Sequence, residues 1–310
     1  MTRTSKSQGI IVCIPKALPP EMWVDAARTA TEINPINHPP IERLVDIMPG
    51  PAQIPLLADV PEPLLVSVLT TKYWYTDGVH LTVGFLDNPP AQLRKRILSH
   101  MNAWGQTADV TFVETATDAQ VRIARTEEKG HWSYVGVDIM HIDRDKPTMN
   151  LESFTMETPE AEYRRVVRHE TGHTLGFPHE HMRRELVNLI DPAKAISFYQ
   201  EFCGWSAEKT RLQVLTPLEE GSLYGTPHAD PNSIMCYQIP AAVTTNGEPI
   251  VGGLDIDPSD YEFVAKFYPK SSGAPAAVPA KPAGKRRQAK TSSNGGRAQQ
   301  RVRSSSRSTK

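Results

Sequence analysis

The sequence has little that would carry it across a membrane. No apolar run approaches the roughly 18 residues of a span. The longest candidates, Ile10 to Ile14 and Pro63 to Leu69, are short and interrupted. The stub from Ile10 to Ile14 lies between Arg3 and Lys6 on one side and Pro15 on the other. It is too short for a signal-peptide core, and no small-residue cleavage site follows it. The chain is therefore expected in the cytoplasm by default, with non-classical export left open, and without a membrane partner. Cysteine is also scarce. Cys13, Cys203 and Cys236 lie far apart and make neither a metal motif nor an even-numbered disulfide framework. They suit a reducing compartment, although one disulfide plus one free thiol stays open.

Acidic residues are missing from one region. Residues 271–310 hold ten Lys or Arg and no Asp or Glu, leaving 24 basic against 35 acidic residues in 1–270, a formal charge of −11. An acidic body thus carries a basic tail. The tail is made of Ser, Gly, Ala, Pro and basic residues and is expected to be disordered, because it cannot bury enough apolar surface to offset its ordering entropy. It has no aromatic side chain to stack a base, so nucleic acid is not an expected partner.

What is present is a pattern of short elements. Glu21 to Ile33 reads as a helix with Trp23, Ala26, Ala27 and Ala30 on one face. The prolines from Pro39 to Pro63 then predict an extended stretch. His80 to Leu86, Asp109 to Glu114 and Gln120 to Ala124 read as strands, and Gly130 to Val137 and Thr148 to Leu151 as extended. A helix capped by Asn88 is expected from Pro89–Pro90, burying Leu93, Ile97, Leu98 and Met101. Another is expected from Thr158 to Leu175, ending at Gly176. Pro192 to Phe202, Ala207 to Leu215 and Pro258 to Phe267 read as helices, the last capped by Asp257. This order predicts an α+β domain with a twisted sheet, two long helices and a loop-rich C-terminal subdomain.

One segment carries chemistry: His169-Glu170-Thr171-Gly172-His173-Thr174-Leu175-Gly176-Phe177-Pro178-His179. Residues four apart on a helix lie one turn above each other, so His169 and His173 can share an ion. Glu170 sits about 100° round the helix and can reach a water on that ion without ligating it. Gly176 and Pro178 break the helix, which lets His179 close a third side. Three protein ligands and one open position describe a catalytic zinc, one per chain.

A second element, Ser233-Ile234-Met235-Cys236-Tyr237, lies downstream. Together the two segments resemble the metzincin metallopeptidases, and within them the astacin family in its bacterial style. The resemblance covers roughly residues 72–270. It extends to Gly176-Phe177-Pro178-His179-Glu180-His181-Met182-Arg183 and to Trp132-Ser133-Tyr134-Val135-Gly136. It implies a methionine turn beneath the metal, with Met235 in that place. It implies Tyr237 as a helper that ligates zinc and then swings to the oxyanion. It puts Met149-Asn150-Leu151 at the cleft-edge strand, where an extended peptide can pair. The chain departs from the family at Leu186, where an Arg is usual, and at His131, where a Cys is usual.

The resemblance implies a zinc-dependent metalloendopeptidase acting on peptide or protein substrates, with Glu170 as general base. Two alternatives stay open. One is a catalytically silent peptide-binding module on the same fold. The other is a site whose third ligand is a distant Glu. Residues 1–71 are expected to be an N-terminal extension and a possible pro-segment, 72–270 the peptidase domain, and 271–310 the tail. Residues 1–70 contain no inhibitory Asp motif of the family's kind. The flanks of Cys13 do not resemble a known switch, and Cys13 is expected to take no part in the site. His131, His141 and His228 have no partner at ligand spacing and are expected on the surface. Asp255, Asp257 and Asp260 are read as helix-capping residues rather than a calcium loop.

Overall fold

Five strands form one sheet because β-branched and aromatic residues alternate along short runs separated by turn residues. In the computed structural model, which describes residues 13, 16–38, 70–217, 229–236 and 238–270, these are β1 (Val79–Phe85), β2 (Val110–Glu114), β3 (Val121–Ala124), β4 (Trp132–Ser133) and β5 (Met149–Asn150). The order across the sheet is β2-β1-β3-β5-β4. β1 runs parallel to β2 and β3, with Leu81 opposite Phe112 and Val83 opposite Val121. β5 runs parallel to β3, and β4 closes the edge antiparallel to β5. The sheet, several helices and irregular second half are those expected from the sequence. The edge strand is not: Met149–Asn150 is paired on both sides, and Trp132–Ser133 is the strand at the margin.

Parallel neighbours need a crossover. Helix α2 (Ala91–Met101) supplies it between β1 and β2, burying Leu93, Ile97 and Met101. Asn88 does not cap it. That residue takes a left-handed φ of 46° in the preceding turn, and Pro90 is the boundary residue instead. Helix α1 (Trp23–Ile33) lays Ala26, Ala27 and Ala30 inward. Two buried amides then bind it to the domain. The Asn34 amide donates to Trp74 O, while the Asn37 amide donates to Tyr73 O and accepts from Tyr73 N.

Helix α3 spans residues 160–174, with a π-helical turn at Tyr163–Val167 just before the histidines. It packs on a core that includes Val83, Ile97, Trp104, Ile123 and Val167. Beyond it the chain is mostly loop, with α4 (Pro192–Cys203), α5 (Ala207–Thr210, continued by a π turn to Leu215) and α6 (Pro258–Phe267). A second apolar cluster forms there from Leu186, Ile190, Tyr199, Trp205, Val243 and Ile250. No helix among the described residues is long and apolar enough to cross a membrane. Pro39 to Pro63, His228, Tyr237 and the basic tail lie outside the described residues.

Candidate metal centre

The C-terminal end of α3 positions the first two histidines. A helix leaves its last carbonyls unpaired unless something caps them. Here Gly176 N donates to His173 O at 2.8 Å and Phe177 N donates to Gly172 O at 3.0 Å, a Schellman closure. The closure requires a left-handed residue, and Gly176 supplies it with φ of 100°. The remaining carbonyls take side-chain donors: Trp74 Nε1 to Thr174 O at 2.8 Å and the Tyr268 hydroxyl to Leu175 O at 2.7 Å. The helix end is thus fixed from three directions.

The same closure orients the two histidines. His173 Nδ1 lies 2.7 Å from Phe177 O, the residue that completes the cap. His169 Nδ1 lies 2.6 Å from Ile234 O. A carbonyl only accepts, so both Nδ1 atoms carry the proton and both Nε2 atoms keep a lone pair. After Pro178, the chain brings His179 round so that its Nε2 is 3.2 Å from that of His169 and 3.0 Å from that of His173. A proton on His179 can satisfy one of these contacts. A cation between the rings satisfies them all. Ligands on a tetrahedral zinc at about 2.0–2.1 Å would stand about 3.3 Å apart, close to the observed spacing. All three rings are buried, and burial pushes His169 down to about 4 and the other two well below the usual range. The histidines are therefore neutral, the state a metal needs.

Beneath them lies the turn predicted at Ser233–Cys236, closed by Cys236 N to Ser233 O at 2.9 Å. Asp260 on α6 holds it, accepting from Ser233 Oγ at 2.6 Å and Ile234 N at 2.9 Å. Asp260 also completes a capping box with Asp257, so the capping role read from the sequence is present and a second role is added. Met235 sits against the ligand helix: a β-carbon on Gly172 would come within 2.3 Å of its sulfur. The backbone ties the turn to the segment of the third histidine through Glu180 N to Met235 O at 2.9 Å. His181 is not in the cluster of candidate ligands; its Nε2 meets Gln213 O at 3.1 Å.

Glu170 is buried beside the triad, and its Oε2 has no hydrogen-bond partner among the described residues. Burial pushes the carboxyl up to about 8, opposed by a hydrogen bond from Cys13 and the charge of Arg165. A bound dication works against burial as well. His131, expected on the surface, is half-buried instead: its Nδ1 accepts from Glu152 N at 3.1 Å, and it lines the cavity at Glu170 with Arg165 and Gln238.

The residue that sequence reasoning set aside is Cys13. Its sulfur and the Nε2 atoms of the three histidines all lie within 4.8 Å of one another, and all four residues are buried. Burial pushes its thiol well above the usual range. The signal available in the sequence was only a single cysteine in the region preceding the peptidase segment.

Residues 69–250 match the family model for Astacin, a peptidase family. Among curated proteins, the zinc metalloproteinase nas-27 of Caenorhabditis elegans is 34% identical over 107 residues. The match covers 34% of this chain and 23% of that protein, so the chain spans less than a quarter of that relative's length. A solved structure of myroilysin aligns with a TM-score of 0.60 at 28% identity, covering 64% of this chain and 96% of that one. A crystal structure of myroilysin aligns with a TM-score of 0.50 at 29% identity, over 64% and 86%.

Proposed function

From the premise that this chain belongs to the astacin family of metallopeptidases, we propose that it is a zinc-dependent endopeptidase in which His169, His173 and His179 hold the metal and Glu170 is the general base. The observation that carries this is the facing of the three Nε2 atoms across 3.0 and 3.2 Å in a buried space, with an acid beside them. Zinc, when bound, supplies Lewis acidity that polarises a peptide carbonyl and lowers the pKa of water to about 7.

The chain's own groups do the rest. Glu170 takes a proton from the attacking water and delivers it to the departing amine. Its burial favours accepting that proton, since the neutral form is the one a dry site prefers. Tyr237, which the family resemblance marks as an oxyanion helper, donates a hydrogen bond as negative charge builds on the carbonyl oxygen. An extended peptide docks by pairing with edge strand β4. Peptides or proteins are the substrate class; residues 72–270 do the chemistry, and residues 1–71 act as a pro-segment. A module that only held peptides would have no chemical need for a buried carboxylate beside the metal ligands.

The test is a pair of variants, assayed before and after limited trypsin treatment. Glu170→Gln should keep one zinc per chain while peptide hydrolysis falls about 10²–10⁴-fold. His179→Ala should lose the zinc itself. Near-parental hydrolysis by Glu170→Gln, or full zinc in His179→Ala, would remove the assignment.

A further inference from the structure

We propose that α1 and the turn after it, residues 20–38, are a permanent part of the peptidase. They stay docked when the chain is cut between them and the domain, and Asn34 and Asn37 act as positioning residues that brace the helix end carrying His173. Retention stands on packing alone; the effect on the metal rests on the zinc site proposed above.

Three observations carry it. First, α1 belongs to the main core. Ala30 is fully buried in the same cluster as Val83, Ile97 and Val167, and Ile33 and Ile36 pack against that cluster. The helix also lies on the turn at Gly136–His141. A free helix of 11 residues is marginal in water, so α1 owes its shape to this packing.

Second, Asn37 pairs with the domain as a neighbouring strand would. Its Nδ2 donates to Tyr73 O and to Ala30 O, each at 2.8 Å. Its Oδ1 accepts from Tyr73 N at 2.8 Å and from Thr71 Oγ1 at 2.9 Å, and its carbonyl accepts from Thr71 N at 3.1 Å. Asn34 Nδ2 donates to Trp74 O. Both amides are buried. Departure of the helix would take these partners from buried backbone groups, which is costly.

Third, the two residues so held are those that hold the ligand helix. Trp74 Nε1 donates to Thr174 O at 2.8 Å, next in sequence to His173. Trp74 N donates at 3.1 Å to the Tyr268 hydroxyl, which itself donates to Leu175 O at 2.7 Å. The Tyr73 ring packs on Phe177, whose carbonyl meets His173 Nδ1. From Asn34 to the last turn of α3 is therefore two hydrogen bonds.

A simpler account has α1 leaning on the domain and leaving with the rest of the pro-segment once cut. A piece that leaves must bare its docking surface to water, and here that surface is the core around Ala30 and the buried backbone of Tyr73 and Trp74. Residues 20–38 are thus the portion of the amino-terminal segment that remains, as a second chain held without a covalent bond.

The test takes the full-length chain with a specific protease site placed between Arg43 and Leu44, cut to completion, loaded with zinc and passed through gel filtration. The piece carrying α1 should elute with the domain. Chelation should not release it, because its hold lies in the core, and denaturant should release it only at the domain's own unfolding midpoint. In the uncut chain, the double variant Asn34→Ala/Asn37→Ala should bind zinc about tenfold more weakly with its helix content unchanged; should it not fold, Asn34→Ala alone is measured in its place. A piece that separates from a folded, zinc-loaded domain, or that chelation sets free, overturns retention. Parental zinc affinity in the folded variant overturns the bracing role. Both results leave the peptidase reading intact, whereas a folded parent that binds no zinc defeats that reading and the bracing role while the piece still co-elutes.

Discussion

The two apolar clusters of this chain are built by different means. The sheet-side cluster is made of regular elements: Val79, Leu81 and Val83 alternate along β1, and Ile97 and Val167 face it from α2 and α3. The second cluster takes Ala195 and Tyr199 from α4 and gathers Leu186, Ile190, Trp205, Val243 and Ile250 around them from short turns and loops, joined by single bridges such as Ile190 to Thr244 and Ile239 to Ile250. One is held by ladders and periodic packing, the other by one helix face and individual pins. His169 and His173 belong to the first region, while His179 stands beyond the helix break that leads into the second. The three histidines therefore join a region that is stable by repetition to one that depends more on particular contacts.

The largest expected effect is that of metal removal. Chelation should cost several kcal/mol of stability, because binding free energy at a site of this kind is folding free energy. The loss should be uneven: hydrogen exchange should quicken in residues 179–250 and change little in β1 to β3. Uniform quickening would break the comparison.

Next comes Asp260, which pins the methionine turn. Asp260→Ala leaves Ser233 Oγ and Ile234 N without their acceptor and should cost about 1–3 kcal/mol. Zinc affinity should fall roughly 10–100-fold, since the same turn orients His169. Burial raises this carboxyl from an ordinary 3.8 to about 6. A raised folded-state value means the contribution is complete below about 3.8 and is lost as pH rises through about 6. Asp260→Asn should flatten the stability curve over that window; an unchanged slope in chemical denaturation would contradict it.

Gly172→Ala ranks third. Its β-carbon would meet Met235 sulfur at 2.3 Å, a clash worth about 1–3 kcal/mol that Met235→Ala should relieve in a double variant. Additive losses would show that the methionine does not press on the ligand helix. The smallest effect belongs to the cap of α4, where Asp191 accepts from Ala193 N and Lys194 N, each at 3.0 Å. Asp191→Ala should cost about 1 kcal/mol by thermal melting, with zinc content unchanged.

The same contrast explains what was legible in the sequence. β1, α2, the helix carrying His169 and His173, α4 and α6 follow from periodicity and punctuation, and the structure places them within a few residues of the expected bounds. The ligand cluster was legible because its geometry is local: four residues of helix, then Gly176 and Pro178. The edge strand was not, because β4 and β5 are two residues each and their order depends on pairing that no short window encodes. Asn88 misled because a residue that caps helices also tolerates the left-handed turn that it adopts. Cys13 was out of reach for the same reason as the second role of Asp260: each meets the site across more than twenty residues of chain, and its sequence neighbours carry no mark of it.

The most direct test is zinc titration of the trypsin-treated chain after complete chelation. The account predicts that peptide hydrolysis is absent without metal, returns in step with zinc up to one per chain, and does not return in His179→Ala. Hydrolysis that survives zinc removal, or returns fully in His179→Ala, would contradict it.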